Sequence, residues 1–421
     1  MFEKIKEIIF KVLENRVVSG SLVMVIGGFL ISLTNYFYHL ITARTLGPRD
    51  YGTLDSLVSL LTQISIPLAV VSMVIIRYVS SFKGQARTKT IESFFWKINK
   101  RLLFLTPPLL ILVFLVTPLV TNFLHLSSPF LFLWIGLSFV FGIFISVGKS
   151  FIQGLCRFLP LTIVGIAEGI FRLLLTIILI AWGWGLFGAI VPFFAMTVLS
   201  LVLTLILVRD LLFGERNEPI PEKKEIFTFT LPVFFNNIGV TSLITTDVIL
   251  ARHFLSATDA GFYAALSTLS KIIYFAAVPV VGVIFPLISE AQAAKENVKK
   301  IIFPGLLIIG LIVGSALIVF GFFPKLMILL LFGEKYFFIE PFIIYFALAM
   351  SFYTFDVAFL NIFLAQKMAT PIFFVCLAAL LQIILITLFH QSIGQIVNIF
   401  VFISSLLFAL LLLYYFRSEK S

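Results

Sequence analysis

Long apolar stretches, each closed by a short polar turn, follow one another through almost the whole chain. They run near residues 17–41, 53–80, 102–124, 129–152, 158–182, 184–208, 227–251, 262–288, 301–323, 339–365, 371–389 and 393–416. Each holds about 20 or more mostly apolar residues, enough for a helix to cross a hydrocarbon core of roughly 30 Å. The pattern predicts an all-α polytopic membrane protein with about twelve transmembrane helices. Prolines fall inside several spans: Pro67 in the second, Pro107, Pro108 and Pro118 in the third, Pro279 and Pro286 in the eighth. Each removes a helical hydrogen bond and permits a kink.

Between the spans, the polar pattern sets the organisation. Residues 2–16 place Phe2, Ile5, Ile9, Val12 and Leu13 on one helical face and lysines or glutamates on the other, the pattern of a short helix lying on the inner leaflet. The stretch "FKGQARTKTIESFFWKINKR" puts Phe94, Phe95 and Trp96 at headgroup level among basic residues. "RDLLFGERNEPIPEKKEIF" is the longest polar run, and Pro219 and Pro221 stop helices from joining across it. The expected order is an interfacial helix over 1–16, a six-helix bundle over 17–208, a cytoplasmic linker over 209–226, a second six-helix bundle over 227–416 and a cytoplasmic tail over 417–421.

The second half repeats the first. "ARTLGPRDYG", ending at Gly52, returns as "ARHFLSATDAG", ending at Gly261, about 209 residues later, and "QGLCRF" around Arg157 is echoed by "LAQKMA" around Lys367. An even number of spans separates the matching points, so the halves enter the membrane in the same orientation, a parallel repeat about an axis along the membrane normal. Two similar bundles that rock against each other can expose a shared midplane site to either side, which is how alternating-access transporters are built.

Composition agrees with the pattern: 61% of residues are hydrophobic and 12% charged, about half the charge usual in soluble chains. The net charge of +10 would suggest nucleic acid in a soluble protein. Here its placement decides. With the N-terminus cytoplasmic, most lysines and arginines fall on the inner side, which puts both termini in the cytoplasm and the chain in the cell membrane as a multi-pass protein. The first span follows charged residues, as a signal peptide does, yet it is too long and has no small-residue cleavage pattern, so it is expected to be retained. Cys156 and Cys376 provide no disulfide framework.

The turn "ARTLGPRDYG", with "QGLCRF", "AEGIFRLLL" and "LLFGEKY", resembles the oligosaccharide and polysaccharide flippases, the Wzx-like branch of the multidrug/oligosaccharidyl-lipid/polysaccharide (MOP) exporter superfamily. The resemblance runs from about Val17 to the last span. It implies a two-bundle fold like that of the multidrug MATE exporters and the movement of polyprenyl-diphosphate-linked oligosaccharides from the inner to the outer leaflet for cell-surface polysaccharide synthesis. Some relatives have about fourteen spans rather than about twelve, which disfavours a lipid II flippase.

Ionisable groups at bilayer depth cost on the order of 2.5–3.5 kcal/mol each, so they face a partner or a wet cavity. The candidates are Asp55, Arg77, Lys149, Glu168, Arg172, Asp247, Lys271 and Asp356. Asp55 and Asp247 lie near outer helix ends, and Arg77 and Lys149 near inner ends, where long side chains snorkel to water. Glu168 and Arg172, spaced i, i+4, can pair along one helix face. Alternatively Arg172 binds a substrate phosphate while Glu168 handles a proton or ion. Beside them, Gly165 and Gly169 form a small-xxx-small spacing that admits a neighbouring helix. Lys271 has no acid at i±3 or i±4, so it either lines a hydrated cavity or pairs across helices.

Cations in a cavity suit an anionic diphosphate, which must exchange its hydration for fixed positive charge. The expected substrate-binding cations are therefore Lys271, Arg172, Arg77, Lys149, Arg44 and Arg252, the last two also readable as capping residues of the repeated turn. The ion-coupling candidates are Glu168, Asp356 and Asp247. A cation-coupled multidrug antiporter is the alternative, favoured if the acidic groups dominate. The four histidines, His39, His125, His253 and His390, have no metal-ligand spacing, so no metal site is expected. "GIFISVGKS" fails as a nucleotide loop because five residues, not four, separate Gly142 from Gly148. No nucleotide, nucleic acid or other cofactor is expected, and energy would come from an H+ or Na+ gradient, the membrane potential or the substrate gradient. The short outward loops argue against an enzyme.

Overall fold

The computed structural model describes residues 16–214, 216, 218, 226–293, 297–366 and 368–418. Residues 1–15 of the expected interfacial helix and half of the linker over 209–226 lie outside them. Among the described residues there is no strand. The helices are α1 Arg16–Leu46, α2 Pro48–Ile64, α3 Ile66–Gly84, α4 Thr88–Phe123, α5 Pro129–Gly154, α6 Phe158–Ala181, α7 Gly185–Leu207, α8 Ile226–Phe254, α9 Ala257–Ser270, α10 Ile272–Ala293, α11 Lys299–Phe322, α12 Pro324–Leu331, α13 Glu340–Ala365, α14 Thr370–Leu388 and α15 Ile393–Ser418, with a single helical turn at Arg209–Leu212 and a 3-10 helix at Glu334–Ile339. Among the described residues, eleven segments are long and apolar enough to cross a membrane, and they fall on the second to twelfth expected spans. The first expected span falls on α1.

Two expected spans are interrupted. The second breaks between α2 and α3, at Ser65, because Pro67 two residues later has no N–H with which to continue the ladder. The eighth breaks between α9 and α10, at Lys271. Pro279 lies eight residues beyond and is not its cause. At the break the backbone stays helical in sign (φ −60°, ψ −15°), and the Lys271 N–H still bonds the Ser267 carbonyl at 2.9 Å.

The turn motifs have a backbone reason. Gly47, before α2, has φ 78° and ψ 175°, and Gly333, before the 3-10 helix, has φ 89° and ψ 174°. That region is open essentially to glycine alone, so "TLGPRDYG" and "LLFGEKY" each turn on one residue without a Cβ.

The chain divides into two compact units. The first comprises residues up to Ile41, Pro67–Thr121 and Ser128–Ile226. A hydrophobic core cluster in it joins Ile75, Val79, Phe82, Ile91, Phe95, Phe151 and Leu211. Its α1 and α6 pack through small residues: a Cβ on Gly165 would lie 2.6 Å from Cδ1 of Ile31, one on Gly169 would overlap Thr34, and one on Gly27 would overlap Thr162. The small-xxx-small spacing thus receives α1.

The second unit comprises Thr42–Ile66, Asn122–Ser127 and Phe227–Ser421. It therefore includes α2 and the α4–α5 loop, which belong to the first half by sequence. In it the end of α1 is held by the Tyr336 hydroxyl, which donates to the Ala43 carbonyl at 2.9 Å.

Candidate functional site

In the first unit, Arg172 lies one turn beyond Gly169 on α6, on the face that α1 covers. Its guanidinium donates to Oδ1 of Asn35 on α1 and stands over two aromatic rings, 4.5 Å from the Tyr38 centroid and 4.9 Å from that of Phe193. Tyr38 is fixed in turn by its hydroxyl, which donates to the Ala189 carbonyl at 2.8 Å. Stacking on ring faces keeps the charge of an arginine accessible without a counter-ion, a geometry that a lysine matches poorly.

The expected pairing of Glu168 with Arg172 is not what forms. Lys149 on α5 reaches Glu168 at 2.7 Å, and the Ser200 hydroxyl on α7 donates to the same carboxylate. The reason is geometric: α5 and α7 converge on the Glu168 side of α6, while Arg172 turns toward α1. Lys149 is accordingly held by a carboxylate rather than snorkelling alone. Arg77, on α3, is exposed.

In the second unit, Lys271 occupies the break between α9 and α10 and is half-buried. It lies within electrostatic reach of Asp55 on α2 and Asp247 on α8. Asp247 is fully buried and accepts from the Tyr263 hydroxyl at 2.8 Å. Asp356, on α13, is also buried, and neither of its oxygens has a hydrogen-bond partner among the described residues. Arg44 donates to the carbonyls of Leu329 and Leu330 at the end of α12. Arg252, 6% exposed, donates to the carbonyls of Leu124 and His125 at 3.0 and 3.2 Å. Arg44 thus holds the C-terminal carbonyls of a helix, and Arg252 the backbone of the α4–α5 loop. No group of three metal-binding side chains occurs among the described residues.

Sequence reasoning missed the neutral partners: Asn35, Tyr38 and Phe193 around Arg172, and Tyr263 beside Asp247. The available signal was a polar or aromatic residue in the span matched to each charge, and it is weak because such residues are common in membrane helices.

Comparison with known proteins places this arrangement. The sequence model of the polysaccharide biosynthesis protein family matches residues 17–292. The chain belongs to that family. Among curated proteins, no sequence matches it. Solved structures resemble it in fold: an inward-facing multidrug resistance MATE transporter of the MOP superfamily (TM-score 0.76, 11% identity, covering 93% of this chain and 96% of that one), and the lipid II flippase MurJ in an inward closed conformation (0.73, 15%, 94% and 87%). A third is a MOP superfamily transporter from Pyrococcus furiosus, described as having a binding pocket of reverse polarity (0.64, 14%, 96% and 96%). The fold is that of these MOP superfamily structures, and this member of the polysaccharide biosynthesis protein family is a multi-pass membrane protein.

Proposed function

We propose that this protein flips polyprenyl-diphosphate-linked oligosaccharides from the inner to the outer leaflet of the cytoplasmic membrane by alternating access, with both termini cytoplasmic. The carrying observation is Arg172, a guanidinium at mid-helix held by an amide and two ring faces, with no carboxylate bonded to it among the described residues. A cation kept in that state favours an anionic passenger, because a diphosphate gives up its water only to fixed positive charge. Lys271 is the second cation assigned to the head group, and Glu168, Asp247 and Asp356 are the groups through which H+ or Na+ would couple.

A second reading, a cation-coupled multidrug antiporter, has its own support in Asp356, whose buried carboxyl suits a cationic ligand. Proteoliposomes loaded with a fluorescent polyprenyl-diphosphate sugar or with a cationic dye separate the two. The flippase reading expects leaflet exchange of the sugar lipid and none of the dye; dye export without lipid exchange overturns it.

A further inference from the structure

In the first unit, α1 carries a different kind of residue on each of three faces. Gly27, Ile31, Thr34 and Tyr38, spaced i, i+4, i+7 and i+11, are the packed stripe: the first three lie against Thr162, Gly165 and Gly169 of α6, and Tyr38 is buried. Ile26, Leu30, Leu33 and Phe37, at the same spacing, are exposed and apolar, which suits lipid. Gly28, Ser32, Asn35 and His39 form a third stripe, on the side opposite the apolar one. Gly28, Ser32 and Asn35 are exposed, His39 is half-buried, and a Cβ on Gly28 would meet nothing within 4 Å. By helical rise Asn35 lies roughly 16 Å from the end of α1, well inside a hydrocarbon core of roughly 30 Å. An exposed amide at that depth calls for water or a polar ligand, because lipid satisfies none of its hydrogen bonds.

The bond to Arg172 fixes what that amide presents. A guanidinium only donates, so the Asn35 atom it holds is the carbonyl oxygen, and the NH2 group keeps two N–H donors with no partner among the described residues. On the guanidinium itself, Nε is buried and also without a partner among them. The carbonyl oxygen orients the guanidinium and removes none of its charge. Glu168, one turn back on α6, lies within electrostatic reach of Arg172, yet its carboxylate is bonded by Lys149 and Ser200. An aspartate at position 35 would instead form a charge-assisted pair with Arg172 and cancel it. Whether residue 35 is an amide or an acid therefore sets the sign of this site.

We propose that Asn35 is a specificity-determining residue: its carbonyl oxygen holds Arg172 without neutralising it, and its NH2 group donates, beside the guanidinium, to the phosphoryl oxygens of a lipid-linked head group that moves along the stripe of Gly28, Ser32 and His39. The proposal rests on the flippase reading and adds two requirements to it. Residue 35 must be neutral and a hydrogen-bond donor, because an oxyanion gives up water only to donors that replace it. The stripe must also stay low, and Gly28 and Ser32 keep it so where larger side chains would stand in the way. Neither requirement touches the packed face of α1, so each can be broken with the helix in place.

The test is binding of a short-chain prenyl diphosphate to the full chain in nanodiscs, by calorimetry at about pH 7.5, where an aspartate ordinarily carries its charge. The uncharged prenol is the control ligand. Asn35→Ala keeps the charge of Arg172 and loses the amide, and should bind the diphosphate about tenfold weaker. Asn35→Asp also cancels the charge and should bind it about a hundredfold weaker, with prenol binding unchanged in both variants. Its thermal unfolding midpoint should equal or exceed that of wild type, a result that mere damage to packing would not give. Gly28→Leu should slow sugar-lipid exchange in proteoliposomes about tenfold, while Leu30→Phe on the apolar stripe leaves it unchanged. Asn35→Asp that binds the diphosphate as wild type does, or that loses prenol equally, overturns the role of Asn35 and leaves the flippase reading standing. If Asn35→Asp does not elute as a single species, Asn35→Ala decides by the same two criteria. Exchange at the wild-type rate in Gly28→Leu overturns the path along α1. Wild type that binds no prenyl diphosphate overturns both the proposal and the flippase reading.

Discussion

Gly52 and Gly261, the closing residues of the two copies of the repeated turn, pack against each other: a Cβ on Gly52 would lie 2.7 Å from both the Cα and the N of Gly261. The duplication is thus a contact as well as an echo in sequence. The glycine that ends "RDYG" and the one that ends "TDAG" are the places where α2 and α9 come backbone to backbone. This contact places α2 in the second unit, and it sets Asp55, one turn along α2, within reach of Lys271 and Asp247.

The first prediction tests that crossing. A Cβ on Gly261 would overlap the Pro48 carbonyl, and backbone cannot rotate aside as a side chain can. Gly261→Ala should therefore destabilise by about 1–3 kcal/mol, the usual cost of overpacking. Gly282→Ala on α10, where a Cβ meets nothing within 4 Å, is the control. Thermal unfolding in detergent should show a lower midpoint for the first and not for the second; equal midpoints would show that the helices separate without cost.

Much of this was legible beforehand for one reason: spans are written in long apolar runs, and repeats and turn glycines in short motifs. Gly165 and Gly169 announced a close helix neighbour, and α1 is there. The pairing of charges was not legible. Glu168 and Arg172 share a helix face, yet Lys149 from α5 takes the glutamate, because which helix lies on which side of α6 is a tertiary fact. The break at Lys271 also has no proline to announce it, unlike the one before Pro67.

The Lys149–Glu168 pair should behave as a unit. The side chains are 27% and 12% exposed, so removing either partner strands a charge in poor solvent. Lys149→Met and Glu168→Gln should each destabilise, and the double variant should lose less than the sum, with a coupling of about 0.5–3 kcal/mol. Strict additivity in thermal unfolding would mean the two charges do not interact.

At the C-terminal end of α7, Arg157 bonds the Leu207 carbonyl at 3.0 Å and the Asp210 carboxylate, and the latter bond holds the Asp210 carboxyl below its ordinary value. A depressed folded value means that the stabilisation is complete above the unfolded value of 3.8 and fades as pH falls through the lower folded one. The pair is 38% and 48% exposed, so screening keeps its worth to about 1 kcal/mol or less. Asp210→Asn should lower the unfolding midpoint slightly at neutral pH and match wild type in strong acid. A constant offset across the pH range would assign the effect to packing.

The last prediction concerns the rings beneath Arg172. If its charge is kept available by Tyr38 and Phe193, then removing a ring face should weaken the hold while leaving the guanidinium in place. A cation–π contact in a desolvated site is worth up to about 2 kcal/mol, so Phe193→Leu should slow lipid-linked sugar exchange by several-fold. Arg172→Gln should slow it more, about tenfold or beyond, which corresponds to at least about 1.4 kcal/mol. Arg172→Lys separates charge from shape: an ammonium keeps the sign but neither stacks as a plane nor forks to Asn35 and a phosphate together. Exchange in this variant should fall nearer to the Gln than to the wild-type rate, measured in proteoliposomes at matched protein density. Full activity in Arg172→Lys would mean that positive charge alone suffices and that the aromatic cradle is packing.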